Sequence, residues 1–128
     1  MTKDKKCIDR VNDEYQSRLK EIKKAYNDEN LDFVEWLNEF GLGWNYVLPN
    51  TFDNQERGYY RWQLSWGGPS DEFRIYTNNE KNIEFVEYWF LDWFDGASIK
   101  VNDQEVLNMI DWQLDCDLTP IEHESEVA

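Results

Sequence analysis

Apolar residues recur at helical spacing near the start of the chain. Between Cys7 and Tyr26 they stand at steps of three and four residues, which is the stripe of an amphipathic helix. The stripe consists of Ile8, Val11, Tyr15, Leu19, Ile22 and Tyr26. Charged residues crowd the other faces, so we predict a surface helix with one side docked. Its docking partner is either the rest of the chain or a second copy of it.

A shorter apolar pattern follows the polar run at 27–30. Apolar residues again share one face, which predicts a second helix from Leu31 to Phe40 with the polar run as its cap. The face consists of Leu31, Val34, Leu37 and Phe40. Gly41 and Gly43 end the helix, and the short connection predicts a helical hairpin.

Alternation of period two then predicts strands. WNYVL at 44–48 is a short candidate strand, followed by a loop rich in Pro and Asn. In the next strand one face is apolar, with Tyr60, Trp62, Leu64 and Trp66. A turn at 67–70 leads to a strand from Phe73 to Thr77, and a turn at 78–81 leads to a third from Ile83 to Phe94. Loops this short predict antiparallel pairing.

The third strand is apolar on both faces, which predicts a central position in the sheet. A short edge strand at Ser98 to Val101 follows, and Asn102 with Glu105 resembles a capping box that starts a last helix, which ends near Asp115. Its inward residues are Val106, Leu107, Ile110 and Leu114. We therefore predict one α+β domain over 1–116, with an N-terminal helical hairpin, a three- to four-stranded antiparallel meander and a C-terminal helix. Residues 117–128 are predicted to form an acidic flexible tail.

Composition agrees with a single core. The chain has 128 residues, of which 41% are hydrophobic and 16% aromatic. This length fits one domain, and large rings must supply most of its buried area.

Charge is distributed unevenly along the chain. Residues 1–26 carry eight Lys and Arg against five Asp and Glu, whereas residues 27–128 carry five against twenty-two. Such a body repels nucleic acid and anionic membranes and attracts basic protein surfaces. The alternative is that the acidity serves solubility alone.

The chain carries no signal of export or membrane insertion. No stretch approaches the roughly 18 apolar residues that a membrane helix needs, and the first ten residues lack the apolar middle of a signal peptide. Cys7 and Cys116 form neither a CxxC pair nor a disulfide framework. These features predict a cytoplasmic protein with reduced thiols.

Motifs for common catalytic chemistries are missing from the sequence. The single histidine, His123, lies in the predicted tail, so no histidine can act as base for a nucleophile in an ordered site. Two distant cysteines do not make a zinc site. The glycines at 67 and 68 lack the following Lys of a phosphate-binding loop. We expect no cofactor, no metal and no enzymatic activity.

Two alternatives to a binding protein stay open at this stage. Asp92 and Asp95, with Asp71 or Glu72, could chelate a metal or serve as an acid and base pair. Exposed aromatic residues could instead stack on sugars or unpaired bases. The candidates for such a platform are Trp44, Tyr59, Trp62, Trp66, Tyr88, Trp89 and Trp93.

Acidic residues repeatedly stand next to aromatic ones, as in Asp32–Phe33, Glu35–Trp36 and Glu39–Phe40. Adjacent side chains in helices and strands face different ways, so rings are predicted to point inward and carboxylates outward. Fixed negative charges of this kind can imitate a phosphate backbone and bind the basic surface of a nucleic-acid-binding protein. The predicted contact residues are Asp71, Glu72, Glu84, Glu87, Asp92 and Asp95.

The runs YYRWQLSWGGPSDEFRIY and EFVEYWFLDWFDGA resemble small acidic proteins carried by phages and plasmids, over about the central third of the chain. Acidic proteins of such elements include anti-CRISPR and anti-restriction inhibitors. The resemblance implies an inhibitor of a host defence complex that acts as a DNA mimic. It implies no particular residue, because these inhibitors share no common motif. An immunity protein that neutralises a toxin through aromatic anchors is the alternative.

Overall fold

The structure is a computed structural model that describes residues 6–67, 69–78, 80, 82–92 and 95–113, with only the backbone of Val34 and Asn38. The predicted tail at 117–128 lies outside these residues. The elements are α1 (Cys7–Tyr26), α2 (Phe33–Glu39), β1 (Gly43–Val47), β2 (Tyr59–Ser65), β3 (Ser70–Thr77), β4 (Ile83–Asp92) and β5 (Asp95–Lys100). A third helix, α3, occupies 104–113, where the described part of the chain ends.

The sheet is an antiparallel meander of five strands in the order β1-β2-β3-β4-β5. The predicted α+β class is confirmed, but the predicted count of three to four strands is wrong. β1 is a full member, because its Trp44 pairs with Trp62 and its Tyr46 with Tyr60 on β2. β3 is the central strand, and β4, which was predicted to be central, lies next to the β5 edge.

The chain enters β1 through a glycine turn. Gly41 has a φ of 77°, and a Cβ at this position would stand 2.9 Å from the carbonyl oxygen of Gln63. Only glycine combines that left-handed conformation with such a close approach. The predicted role of Gly41 as the end of the second helix region is therefore consistent with its geometry.

All three helices contribute to one core on one face of the sheet. Tyr15 of α1, Leu37 of α2 and Ile110 of α3 belong to the same buried cluster as the inward side chains of β2 to β5. Those strand residues are Tyr60, Trp62, Leu64, Phe73, Ile75, Val86, Tyr88, Phe90 and Ala97. The opposite face, which includes Arg74 and Trp89, is called the open face below.

The docked side of α1 differs slightly from the predicted stripe. Val11, Tyr15, Leu19 and Ile22 are buried as predicted, but Ile8 and Tyr26 are exposed. Cys7 and Ala25 are buried at the two ends instead. Cys7 precedes Val11 by four residues and Ala25 follows Ile22 by three, so both stay on the same helical face. α1 thus docks on its own sheet.

Trp62 lies at the centre of the aromatic core. It is fully buried and contacts Phe40, Trp44 and Phe73, with ring centroids 6.0, 4.7 and 5.2 Å away. Trp66, predicted to share its face, lies beyond the end of β2 and is 76% exposed. The alternation therefore predicts the inward residues correctly within β2, but it fails at Trp66, which follows the end of the strand.

The start of α3 differs by one residue from the prediction. The carboxylate of Asp103, rather than the side chain of Asn102, accepts a hydrogen bond from the backbone N–H of Val106 at 3.1 Å. Val106 and Ile110 are buried as predicted, whereas Leu107 is half-buried. Met109, which was not predicted to face inward, is buried as well. The predicted inward residue Leu114 lies outside the described residues. Across the described ranges, no helix is long and apolar enough to cross a membrane.

Candidate functional site

Asp71, predicted to be a surface contact, is buried beneath α1. It is only 3% exposed and accepts two hydrogen bonds from Arg18, from Nε at 2.7 Å and from Nη2 at 3.0 Å. The hydroxyls of Ser65 and Tyr88 also donate to it. Burial alone would raise the pKa of Asp71, but these donors outweigh burial and hold the pKa below its ordinary value. The expectation that this carboxylate faces outward is wrong.

Glu72 is also buried, on the open face of the sheet. It is 3% exposed and accepts a hydrogen bond from Arg74 Nε at 2.7 Å. The guanidinium of Arg74 stacks over Trp89 at 4.2 Å and over Tyr59 at 4.9 Å. Glu72 therefore fixes an arginine between two rings, and it too is wrongly predicted as an outward carboxylate.

Glu84 and Glu87 lie on the open face of β4. Glu84 is exposed and forms an ion pair with Arg57 at 2.7 Å. Glu87 is half-buried and accepts a hydrogen bond from Trp89 Nε1 at 3.0 Å. Glu84 is partly neutralised by its arginine, and Glu87 is oriented by the indole.

Asp92 and Asp95 hold the first turn of α1 to the β4–β5 hairpin. Asp92 forms an ion pair with Arg10 at 2.8 Å, and Asp95 accepts a hydrogen bond from the backbone N–H of Cys7 at 2.7 Å. That hydrogen bond is the main reason why the pKa of Asp95 is lowered. A carboxylate at a helix N-terminus is favourable because the free N–H groups there carry partial positive charge. Both side chains therefore hold α1 in place, and neither is a free member of an acid and base pair.

The six predicted contact residues are thus brought into structural contacts rather than into one acidic surface. Two of the partners come from distant parts of the chain: Arg18 precedes Asp71 by 53 residues, and Arg10 precedes Asp92 by 82. The mild basic surplus of α1 was the available signal, since cations on a docked helix need anions beneath it. The positions of the carboxylates along the chain do not show which of them lie beneath the helix.

Among the residues that the structure describes, a different set of carboxylates is exposed and forms no ion pair. It lies on the turn after α1 and on α2, and we call it the acidic segment. Its members are Asp28, Glu29, Asp32, Glu35 and Glu39. No Lys or Arg lies between Lys24 and Arg57. This is the longest stretch of the chain in which exposed negative charge has no cation nearby in sequence.

The acidic segment is fixed by local hydrogen bonds and by the rings behind it. Asp32 caps α2 by accepting from the backbone N–H of Glu35 at 3.2 Å, and Asp28 accepts from Asn30 at 2.9 Å. Phe33 stacks on Trp36, with their centroids 5.5 Å apart, and Trp36 in turn stacks on Phe40 at 4.4 Å. The alternation of inward rings and outward carboxylates is confirmed here. Glu35 and Glu39 consequently stand on a short, packed helix, and Asp28, Glu29 and Asp32 lie on the turn that leads into it.

The candidate aromatic platform is mostly enclosed. Tyr59, Trp62 and Tyr88 are buried, and Trp44 stacks on Trp62. A cavity of about 400 Å³ lies on the open face, between the 52–57 loop and Arg74, Tyr76 and Trp89. Arg74 covers one ring face of Trp89. Both arginines that line the cavity, Arg57 and Arg74, already form ion pairs with carboxylates. Trp93 lies outside the described residues, which leaves Trp66 as the exposed member.

The described side chains do not support the alternative of a metal site. Among the residues that the structure describes, no group of three or more His, Cys, Asp or Glu side chains could hold a metal ion. His123 and Cys116 lie outside this part of the chain. Cys7 is a buried free thiol whose pKa is raised, chiefly by burial.

Comparison of the chain with protein-family models, with curated protein sequences and with solved structures gives no match.

Proposed function

We propose that the protein acts by binding a partner protein through fixed negative charge, and that it inhibits this partner by occupying a basic surface that otherwise takes nucleic acid. The observation that carries the proposal is the acidic segment, with its five exposed carboxylates and no intervening cation. A surface of one sign steers a partner of the opposite sign and speeds their encounter.

The packing of the acidic segment supports this role. α2 is capped by Asp32, and its rings stack behind it, so the backbone that carries Glu35 and Glu39 needs little ordering when a partner binds. Contacts that are already ordered lose less entropy on association. Fixed carboxylates can therefore replace the phosphates of a nucleic acid in a basic groove, which is the physical basis of a DNA mimic.

The contact residues proposed here differ from those predicted from the sequence. Asp71 and Glu72 are excluded from the proposed contacts because their side chains are buried. Glu84 and Asp95 are exposed, and Glu87 and Asp92 are half-buried, so these four remain secondary candidates. We propose a host defence complex as the partner, which extends the sequence-based hypothesis of a phage or plasmid inhibitor.

Competition with nucleic acid tests this proposal. The full chain is immobilised and used to capture proteins from its host at about 50 mM salt, where surface charges are least screened. Each captured protein is purified and titrated with duplex DNA in the presence and absence of the chain. We expect the chain and the DNA to exclude each other. Simultaneous binding of both would contradict the inhibitory mechanism.

A second candidate function rests on Trp66, which is 76% exposed at the end of β2. Exposed tryptophans often dominate the energy of protein interfaces. An immunity protein that neutralises a toxin would bind through such an anchor, with charge in a minor role. Trp66→Ala would then weaken binding more than charge reversal in the acidic segment, whereas the first proposal predicts the opposite order.

A further inference from the structure

The outer edge of β1 is unusual for this chain because it has no charge. Residues 40–52 contain no Lys, Arg, Asp or Glu, although 31% of the chain is charged. Within the described ranges, β1 is at one end of the strand order and pairs with β2 alone. An open edge presents backbone N–H and C=O groups to another strand, and proteins commonly protect such edges with charged side chains.

The other end of the sheet is protected in the usual way. β5 carries Asp95 and Lys100, and α1 packs against it. β1 carries no charged residue, and it is flanked by apolar residues that face solvent. Leu42 is 61% exposed and Leu48 is 40% exposed. The contrast between the two edges makes β1 the candidate for strand addition.

The two leucines are placed so that two antiparallel copies of β1 can pair them with each other. Two antiparallel copies of β1 that are centred on Asn45 would place Leu42 of each copy opposite Leu48 of the other. Trp44 of each copy would then be opposite Tyr46 of the other. Trp44 and Tyr46 lie on the same face of β1, and Leu42 and Leu48 stand directly before and after the strand, so the joined edge would be apolar along its whole length. A twofold axis requires this kind of self-complementarity.

Net charge favours the same edge for self-association. Each chain carries a formal net charge of -14, so two copies repel each other over most of their surfaces. An uncharged strip brings the fewest like charges together. We propose that a second copy of this chain pairs antiparallel with the free edge of β1, in the register centred on Asn45, to form a continuous ten-stranded sheet.

This dimer has a salt dependence opposite to that of the proposed inhibitor contact. Added salt screens the repulsion between two acidic chains and strengthens the dimer, whereas it weakens attraction to a basic partner. Failure of one proposal therefore leaves the other untouched.

Sedimentation equilibrium of the full chain, from about 1 µM to about 1 mM, spans the range of weak and moderate interfaces. We expect a dimer that tightens between low and high salt. Leu42→Lys and Leu48→Glu should each weaken it by about tenfold or more, because each places an unpaired charge in the interface. Ile8→Lys, on the exposed side of α1, is the matched control and should leave the dimer unchanged.

The register is tested by combining the two changes. In the double variant Leu42→Lys/Leu48→Glu, each introduced ammonium faces an introduced carboxylate of the other copy, so dimerisation should recover. An equimolar mixture of the two single variants should form heterodimers for the same reason. Circular dichroism confirms that all the variants are folded. A chain that is monomeric throughout, a dimer insensitive to both leucines, or a double variant without recovery would each overturn the proposal.

Discussion

Arg18 on α1 and Asp71 on β3 form a two-bonded ion pair in the interior, with Nε–Oδ2 and Nη2–Oδ1 distances of 2.7 and 3.0 Å. The pair joins the surface helix to the central strand of the sheet. Without Asp71, Arg18 would keep, among the described residues, only the exposed Glu21 as an ionic partner, and breaking a buried pair costs about 3 kcal/mol.

Asp71→Asn should therefore lower the free energy of unfolding by about 3 kcal/mol, as measured by urea denaturation followed by tryptophan fluorescence. Asp13→Asn removes an exposed carboxylate from α1, the helix that carries Arg18, and serves as the control, with a change within about 0.5 kcal/mol. Equal effects of the two changes would contradict the structural role of Asp71.

The same pair predicts a pH dependence with a defined sign. The pKa of Asp71 is lower in the folded chain than its ordinary value of 3.8. The folded state then binds its proton less tightly than the unfolded state, so the contribution of Asp71 to stability is present above pH 3.8 and is lost as the pH falls through the lowered folded-state pKa. The stability difference between the wild type and Asp71→Asn should shrink over that window. Urea titrations at a series of pH values measure it, and a constant difference would refute the assignment.

Trp62 and Trp66 are four residues apart and have opposite environments. Trp62→Ala removes a fully buried ring that contacts three others and should destabilise the fold by about 3 to 5 kcal/mol. Trp66→Ala removes a ring that is 76% exposed and should change stability by less than about 0.5 kcal/mol. Thermal and urea unfolding of the two variants provide the comparison. A large cost at Trp66 would show that the end of β2 is placed incorrectly.

The cap of α3 can be tested at neighbouring positions. Asp103→Ala should cost about 1 kcal/mol because it removes the acceptor for the Val106 N–H. Asn102→Ala should be close to neutral, although the sequence suggested Asn102 as the cap. Asp103→Asn retains an acceptor but loses the ion pair with Lys23, so it separates capping from charge. If Asn102→Ala were the more damaging change in urea denaturation, the cap would be misassigned.

Local patterns predicted local structure well. The stripe from Cys7 to Tyr26 has the bounds of α1, and the alternation at Tyr60, Trp62 and Leu64 identifies the inward face of β2. These signals depend on neighbours along the chain, where the geometry of a helix or strand is known in advance.

Interactions between distant residues were not predictable in the same way. The burial of Asp71 depends on Arg18, and that of Glu72 on the way Arg74 stacks over Trp89. Many other carboxylates have similar neighbours in sequence, so nothing local distinguishes these two from solvated ones. The acidic segment was visible in the sequence as carboxylates beside rings, but only the structure shows that, within its described ranges, these carboxylates form no ion pair.

The central claim is that the acidic segment directs binding, and the association rate constant tests it most directly. Glu35→Lys/Glu39→Lys reverses two exposed charges of the segment, and Glu56→Lys/Glu80→Lys reverses two exposed charges elsewhere, which keeps the net charge equal. With a partner identified by capture, stopped-flow measurements at about 50 mM salt should show association slowed about tenfold or more by the first pair and much less by the second. Equal slowing by both pairs, or no slowing by the first, would contradict the account.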